Sequence, residues 1–171
     1  MNQFFIMRMF KAIIICSVSL ISFDCWSQDK EATTIVLVRH AEKGDADGND
    51  PELSAAGKDR AMRLKGMLDN MKFDRFLSTP YKRTRETLAP IAGSGQIEVY
   101  NPATPDAFAQ ELLKINGKKI IIAGHSNTTP LLVNKLCGQF AYPSLDESEY
   151  GWIWVLTILN GRVITCNVLK Y

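Results

Sequence analysis

The sequence predicts an α/β fold, a three-layer α/β/α sandwich around a mostly parallel sheet. Three observations predict it. Thr33 to Val38 (TTIVLV) and Lys119 to Ala123 (KIIIA) are continuous apolar runs, the pattern of strands buried on both faces in a parallel sheet. Strand and helix signals alternate through most of the chain, as helices layered on both faces of a sheet require. Near the C-terminus, Ile153 to Leu159 and Val163 to Leu169 alternate on either side of Asn160-Gly161. That is a hairpin signal and adds an antiparallel pair.

The elements follow in order. Met1 to Lys11 carries Arg8 and Lys11 and no acid, and Ala12 to Phe23 is an uncharged apolar run. A spanning helix needs roughly 20 apolar residues, more than this run supplies. A basic start, a short apolar core and small residues at Cys25 and Ser27 describe a secretory signal peptide over residues 1–27, with Gln28 as the new N-terminus. Residues 28–171 then form one domain. After the strand at Thr33 to Val38, Glu42 to Glu52 is acidic and rich in Gly, Asn and Pro, so it reads as a loop. Ser54 caps a helix over Ala55 to Met67. Arg75 to Ser78 is a short strand, and residues 81–92 form a helix just after Pro80. Ile97 to Tyr100 is a strand, and Pro105 opens a helix to about Ile115. The strand at Lys119 to Ala123 leads to a helix over Thr129 to Leu136 and then to the hairpin. Trp152 and Trp154 read as core and sheet-surface residues.

Composition narrows the function. The 171 residues are 46% hydrophobic and 22% charged, near the globular average, with a formal net charge of +2. That charge is too small to argue for nucleic acid as a partner or for a membrane surface after signal cleavage. An anion site must therefore be local. Export implies an oxidising compartment, periplasmic or extracellular, in which Cys137 and Cys166 either pair or stay as buried thiols. The 4 cysteines lack CxxC spacing and the chain has only 2 histidines, which argues against a structural zinc site.

The histidines carry the chemistry. Each sits just past a buried strand, in TTIVLV-Arg39-His40 and in IIIAG-His125-Ser126-Asn127. In a parallel sheet both imidazoles fall on the carboxyl edge, where ligands bind. A third strand-to-helix junction, Ser78-Thr79-Pro80-Tyr81-Lys82-Arg83-Thr84, delivers Arg83 to a first helical turn. There the helix N–H groups and a guanidinium fork both favour phosphate oxygens.

Arg39-His40-Ala41-Glu42, the Ser78 to Thr84 segment and Gly124-His125-Ser126 together resemble the motifs of the histidine phosphatase superfamily, the superfamily of the phosphoglycerate mutases. Ala41 stands where its first motif has glycine. The resemblance covers about residues 33–168. It implies a phosphoglycerate mutase-like fold in which His40 is the nucleophile and becomes a phosphohistidine, and in which Arg39, Arg83 and His125 bind the phosphoryl oxygens. Asn127 either binds phosphate as well or caps its helix. The chemistry agrees. A neutral imidazole has a free lone pair near pH 7, and three basic groups neutralise transition-state charge with no metal or cofactor.

An alkoxide leaving group also needs a proton. Glu42, two residues past His40, and Asp106, at the start of its helix, are the candidate general acids, with Asp45 and Asp47 behind them. Glu42 could instead orient His40 or Arg39, and Asp106 could serve the helix dipole. Residues 42–52 and 101–105 are the only loops the sequence puts at the active edge, so the pocket is expected to be open and shallow. The expected activity is metal-independent hydrolysis of a phosphorylated small molecule, phosphosugar or phosphoprotein. A phosphomutase and a catalytically weak phosphate-binding module are the alternatives.

Overall fold

The structure is a computed structural model that describes residues 31–45, 48 and 50–171. The segment read as a signal peptide, and Asp47, lie outside the described residues. Ten elements follow the predicted order: β1 (Thr33–Arg39), α1 (Ala55–Leu68), β2 (Arg75–Ser78), α2 (Lys82–Ala92), β3 (Ile97–Val99), α3 (Pro105–Leu113), β4 (Lys119–Gly124), α4 (Thr128–Cys137), β5 (Trp152–Leu159) and β6 (Arg162–Lys170). Among the described residues no helix is long and apolar enough to cross a membrane.

The sheet runs β3-β2-β4-β1-β5-β6. The first four strands are parallel, and β5 and β6 are antiparallel additions. Side chains alternate across the pleat, so each central strand feeds two cores. Ile35, Leu37, Ile120, Ile122, Trp154 and Leu156 point to the face covered by α3 and α4. Val36, Val38, Ile121, Ala123 and Ile153 point to the face covered by α1 and α2. Such two-sided burial is why the sequence shows unbroken apolar runs there rather than alternation. The hairpin turn has Asn160 at φ 53° and Gly161 at φ 72°, the two positive angles of the turn that matches strand twist. Trp154 is buried and Trp152 half-buried.

Local signals act where the sequence puts them. Ser54 Oγ accepts the Gly57 N–H at 3.1 Å and caps α1. The two ends of the acidic 42–52 segment pair with each other. Lys43 bridges Leu53, Gly44 N–H donates to the Glu52 carbonyl and Ser54 N–H to the Glu42 carbonyl. Cys137 and Cys166 are free, half-buried thiols. They pack on the same core, and the Cys166 Sγ lies 3.5 Å from the Tyr142 hydroxyl.

The chain path fixes where the site lies. From β1 it moves outward over one face through α1 and α2 to β3. It then returns through α3 on the other face to β4, beside β1. The helices after β1 and β4 thus leave on opposite faces, and a crevice opens between the carboxyl ends of these strands. α1 seals one side of this crevice at Gly57, where a Cβ would collide with the Glu42 carbonyl oxygen. Gly57→Ala should therefore overpack this contact and lower stability by about 1–3 kcal/mol, read as a lower urea midpoint with an unchanged m-value.

Candidate active site

The register of β1 on β4 pairs Arg39 with Gly124, so the residues that follow, His40 and His125, stand side by side. Their ring centroids are 5.3 Å apart, and His40 N–H donates to the Gly124 carbonyl at 2.9 Å. β2 lies on the other side of β4 and sets Ser78 against Ala123, which brings Thr79 to His125. Two buried threonines brace the edge. Thr87 of α2 accepts the Ala41 N–H at 2.9 Å, and Thr129 of α4 donates to the Val38 carbonyl at 3.2 Å.

The hydrogen bonds assign the histidine tautomers. His40 Nδ1 is 2.7 Å from the Ala41 carbonyl. A carbonyl only accepts, so Nδ1 carries the proton and Nε2 keeps its lone pair. His125 Nδ1 lies 3.4 Å from Nη2 of Arg83, which only donates, so Nδ1 accepts there. His125 Nε2 then donates to Thr79 Oγ1 at 2.9 Å, and Thr79 bonds Thr84 Oγ1 at 2.8 Å. Thr84 in turn donates to the Tyr81 carbonyl at 2.8 Å. This chain locks the ring.

Burial pushes His40 down to about 4, and the charges of Arg83 and Arg39 act the same way, against the raising effect of the Ala41 bond. Burial, then Arg83 and Arg39, push His125 to about 4 as well. Both rings are neutral at pH 7.

Arg83, in the first turn of α2, is a cation of the pocket. Its Nε and Nη1 are buried with no hydrogen-bond partner. Asp50 is 3.8 Å from Nη1, beyond hydrogen-bond reach, and accepts the Lys82 N–H at 2.8 Å instead. The guanidinium stacks over Tyr81 at 4.5 Å.

Arg39 behaves differently. It is 1% exposed. Nη1 donates to the Asp146 and Glu149 carbonyls at 2.6 Å, and Nη2 donates to the Glu147 carbonyl at 3.0 Å and its carboxylate at 3.2 Å. Its plane lies over Tyr150, 4.3 Å from the ring centroid. Only Nε remains without a partner. Arg39 is expected to bind phosphoryl oxygens, but both its Nη donors hold residues 146–149, which leaves one N–H, at Nε, for that role.

That segment is a loop the sequence reading missed. Residues 138–151 carry no regular structure and cover the edge expected to be bare. Asn134 fixes the start through the Tyr142 carbonyl at 2.7 Å and the Ala141 and Tyr142 N–H groups at 3.0 Å. Leu145 N–H donates to the Ser126 carbonyl at 2.9 Å, and Arg39 holds the end. β5 is antiparallel to β1, with Val38 opposite Ile153, so the loop before β5 must emerge at the edge where the parallel strands end. The signal was the predicted antiparallel hairpin.

Together these groups wall a pocket of about 600 Å³ that includes His40, Lys43, Arg83, His125, Asn127 and Glu147. Asn127 makes no side-chain cap bond. Thr128 Oγ1 instead accepts the His125 N–H at 2.9 Å. The two leading acid candidates are elsewhere. Both Glu42 oxygens accept from Arg60, at 2.6–2.9 Å. Burial alone would raise this carboxyl, but the Arg60 bonds and the Arg60 and Arg63 charges hold it low. Asp106 pairs with Lys135 at 2.8 Å, because α3 packs beside α4 rather than at the edge. Asp45 is exposed and outside the pocket wall. Among the described residues no group of three or more His, Cys, Asp or Glu is placed to hold a metal ion.

The fold, a six-stranded mixed sheet with four helices, matches that of phosphoglycerate mutase-like histidine phosphatases of known structure. Residues 35–103 match the model of the histidine phosphatase superfamily (branch 1). The structure of the protein histidine phosphatase SixA bound to tungstate is similar, at 19% identity and TM-score 0.65, covering 80% of this chain and 96% of that one. So is a phosphoserine phosphatase from Entamoeba histolytica, at 18% identity and TM-score 0.60, covering 79% and 96%. The alpha-ribazole phosphatase of Shigella flexneri follows at 18% and 0.61, covering 81% and 96%. No curated protein matches the sequence.

The neutral rings can be checked directly. In proton-carbon NMR spectra both imidazoles should keep neutral shifts from pH 7.5 to 5.5 and titrate near 4. Titration near the ordinary 6.5 would overturn the assignment. The sign for stability follows. Unfolded histidine takes up protons below about 6.5, so this contribution is complete above that pH and is lost as pH falls towards 4.

Proposed function

We propose that the chain is a member of the histidine phosphatase superfamily and hydrolyses phosphomonoesters through a phosphohistidine on His40, without a metal or cofactor. The observation that carries this reading is Arg83, whose buried Nε and Nη1 have no hydrogen-bond partner, beside a neutral His40 whose Nε2 lone pair is free. Buried N–H groups without partners are costly and rare. A tetrahedral anion seated between Arg83, His125 and the N-terminus of α4 would satisfy them. It would also place phosphorus within reach of Nε2.

Hydrolysis then runs in two displacements. The His40 Nε2 pair forms the P–N bond as the P–O bond to the leaving group breaks. Water next attacks phosphorus, and the pair returns to Nε2. The proton stays on Nδ1, donated to the Ala41 carbonyl throughout, and this bond offsets charge on the phosphorylated ring. Arg83 and the remaining Arg39 N–H stabilise the equatorial oxygens.

The pocket is open to one side, which suits a phosphoryl group on a bulky carrier, a phosphosugar or a phosphoprotein as well as a small molecule. Similarity in fold to a protein histidine phosphatase and a phosphoserine phosphatase supports that range. The basic start and apolar core of residues 1–27 support export, to the periplasm or beyond the cell. N-terminal sequencing of the exported protein should then begin at Gln28.

Residues 28–171 should hydrolyse an aryl phosphate in the presence of a chelator. His40→Ala should abolish turnover, and Arg83→Ala should lower kcat/KM about 10²–10³-fold. Quenching in alkaline denaturant should trap an alkali-stable, acid-labile phosphoenzyme in the wild type only. Phosphate binding without turnover would overturn the enzyme reading in favour of a binding module. Transfer to a phosphorylated acceptor rather than water would favour a mutase.

A further inference from the structure

A phosphatase of alkyl esters must protonate the departing oxygen, yet Glu42 and Asp106 are bound elsewhere. Among the described residues that wall the pocket, Glu147 is the sole carboxylate. It comes from the 138–151 segment, opposite the floor formed by His40, Arg83 and His125. The carboxylate is oriented at both oxygens. Oε1 accepts from Ser126 Oγ at 2.7 Å, and Oε2 accepts from Arg39 Nη2 at 3.2 Å. Ser126 directly follows His125, and Arg39 directly precedes His40. The two motifs that hold the phosphoryl group therefore also hold this carboxylate. Its side chain is 71% exposed, so it stands at the rim, where a leaving group exits and water enters.

We propose that Glu147 is the general acid and base of this site, which rests on the phosphatase reading above. In the first displacement the P–O bond breaks, and its electron pair on the leaving oxygen takes the Glu147 carboxyl proton. In the second, water gives a proton to the Glu147 carboxylate as its oxygen joins phosphorus and the P–N bond breaks. The carboxyl is restored, and the sum is ester plus water to alcohol plus phosphate.

The charged and titratable groups around the carboxylate are Arg39 of β1, His40 and Lys43 after it, His125 after β4, and Tyr150 on its own segment. With the pocket empty, the Ser126 bond and then the Arg39 charge hold the carboxyl below its usual range. A phosphoryl dianion acts in the opposite sense. His40 keeps its lone pair only above about 4, so the window for alkyl esters lies between there and the pH at which the carboxyl, raised by the bound phosphoryl dianion, loses its proton. Hydrolysis of alkyl esters is therefore fastest at acid pH.

The test is Glu147→Gln with two substrates. Glutamine keeps the size of the side chain, and the carbonyls of residues 146, 147 and 149 still hold Arg39. An aryl phosphate has a weakly basic leaving group and needs little acid, whereas glycerol phosphate needs it fully. The variant should lose at least ~10²-fold in kcat/KM on glycerol phosphate and less than ~10-fold on the aryl ester. It should also show a burst of phenolate, because dephosphorylation has lost its base. The acid-side preference for glycerol phosphate should vanish with it. An equal loss on both substrates would show that Glu147 acts only by holding Arg39, and would overturn the proposal, as would no loss on either. Absence of His40-dependent aryl hydrolysis in the wild type would instead remove the phosphatase reading itself.

Discussion

The parallel pairing of β1 with β4 carries the rest of the structure. It sets Arg39 against Gly124, and every group of the site follows from that register. The helices after these strands depart on opposite faces, so the crevice between them is not a surface accident. Moving one strand by one residue would exchange the two cores, sending Ile35 and Leu37 to the face now filled by Val36 and Val38. The burial that fixes the fold therefore also fixes the spacing of the two imidazoles.

Arg39 shows how this edge is closed. A buried guanidinium is tolerated only when its donors are satisfied. Here three backbone carbonyls and a carboxylate satisfy four of them, and the Tyr150 ring covers the plane. The same bonds tie down a segment that has no helix or strand of its own. Ordering residues 146–149 is thus the counterpart of burying Arg39. Pocket cover and pocket floor are one unit.

Electrostatics divide the two arginines and the two histidines into different roles. Arg83 keeps donors without partners, whereas Arg39 has almost none to offer. Burial and these neighbouring cations keep both imidazoles neutral. A neutral His40, with its Nδ1 proton held by Ala41, has the tautomer a nucleophile requires. His125 has the opposite arrangement, because an arginine faces its Nδ1. Position in the sheet alone does not distinguish two rings at equivalent strand ends. Their hydrogen-bond partners do.

Much of this was legible in the chain. The apolar runs of β1 and β4, the Asn160-Gly161 turn and the Ser54 cap report local physics, namely two-sided burial, positive φ and an unsatisfied helix end. His40, His125 and Arg83 could be placed at one edge because strand-to-helix junctions in a parallel sheet share it. What the sequence could not supply was partner choice. Glu42 lies two residues from His40, yet α1 presents Arg60 and takes its carboxylate. Asp106 opens α3, yet that helix packs against α4 and gives it Lys135. Glu147 is more than a hundred residues from Arg39 in the chain and meets it only because β5 folds antiparallel onto β1. Element identity and the site's location are set by periodicity and junction chemistry, which are local. The pairing of each charge, and the cover over the pocket, depend on which distant surfaces meet, and only tertiary packing decided those.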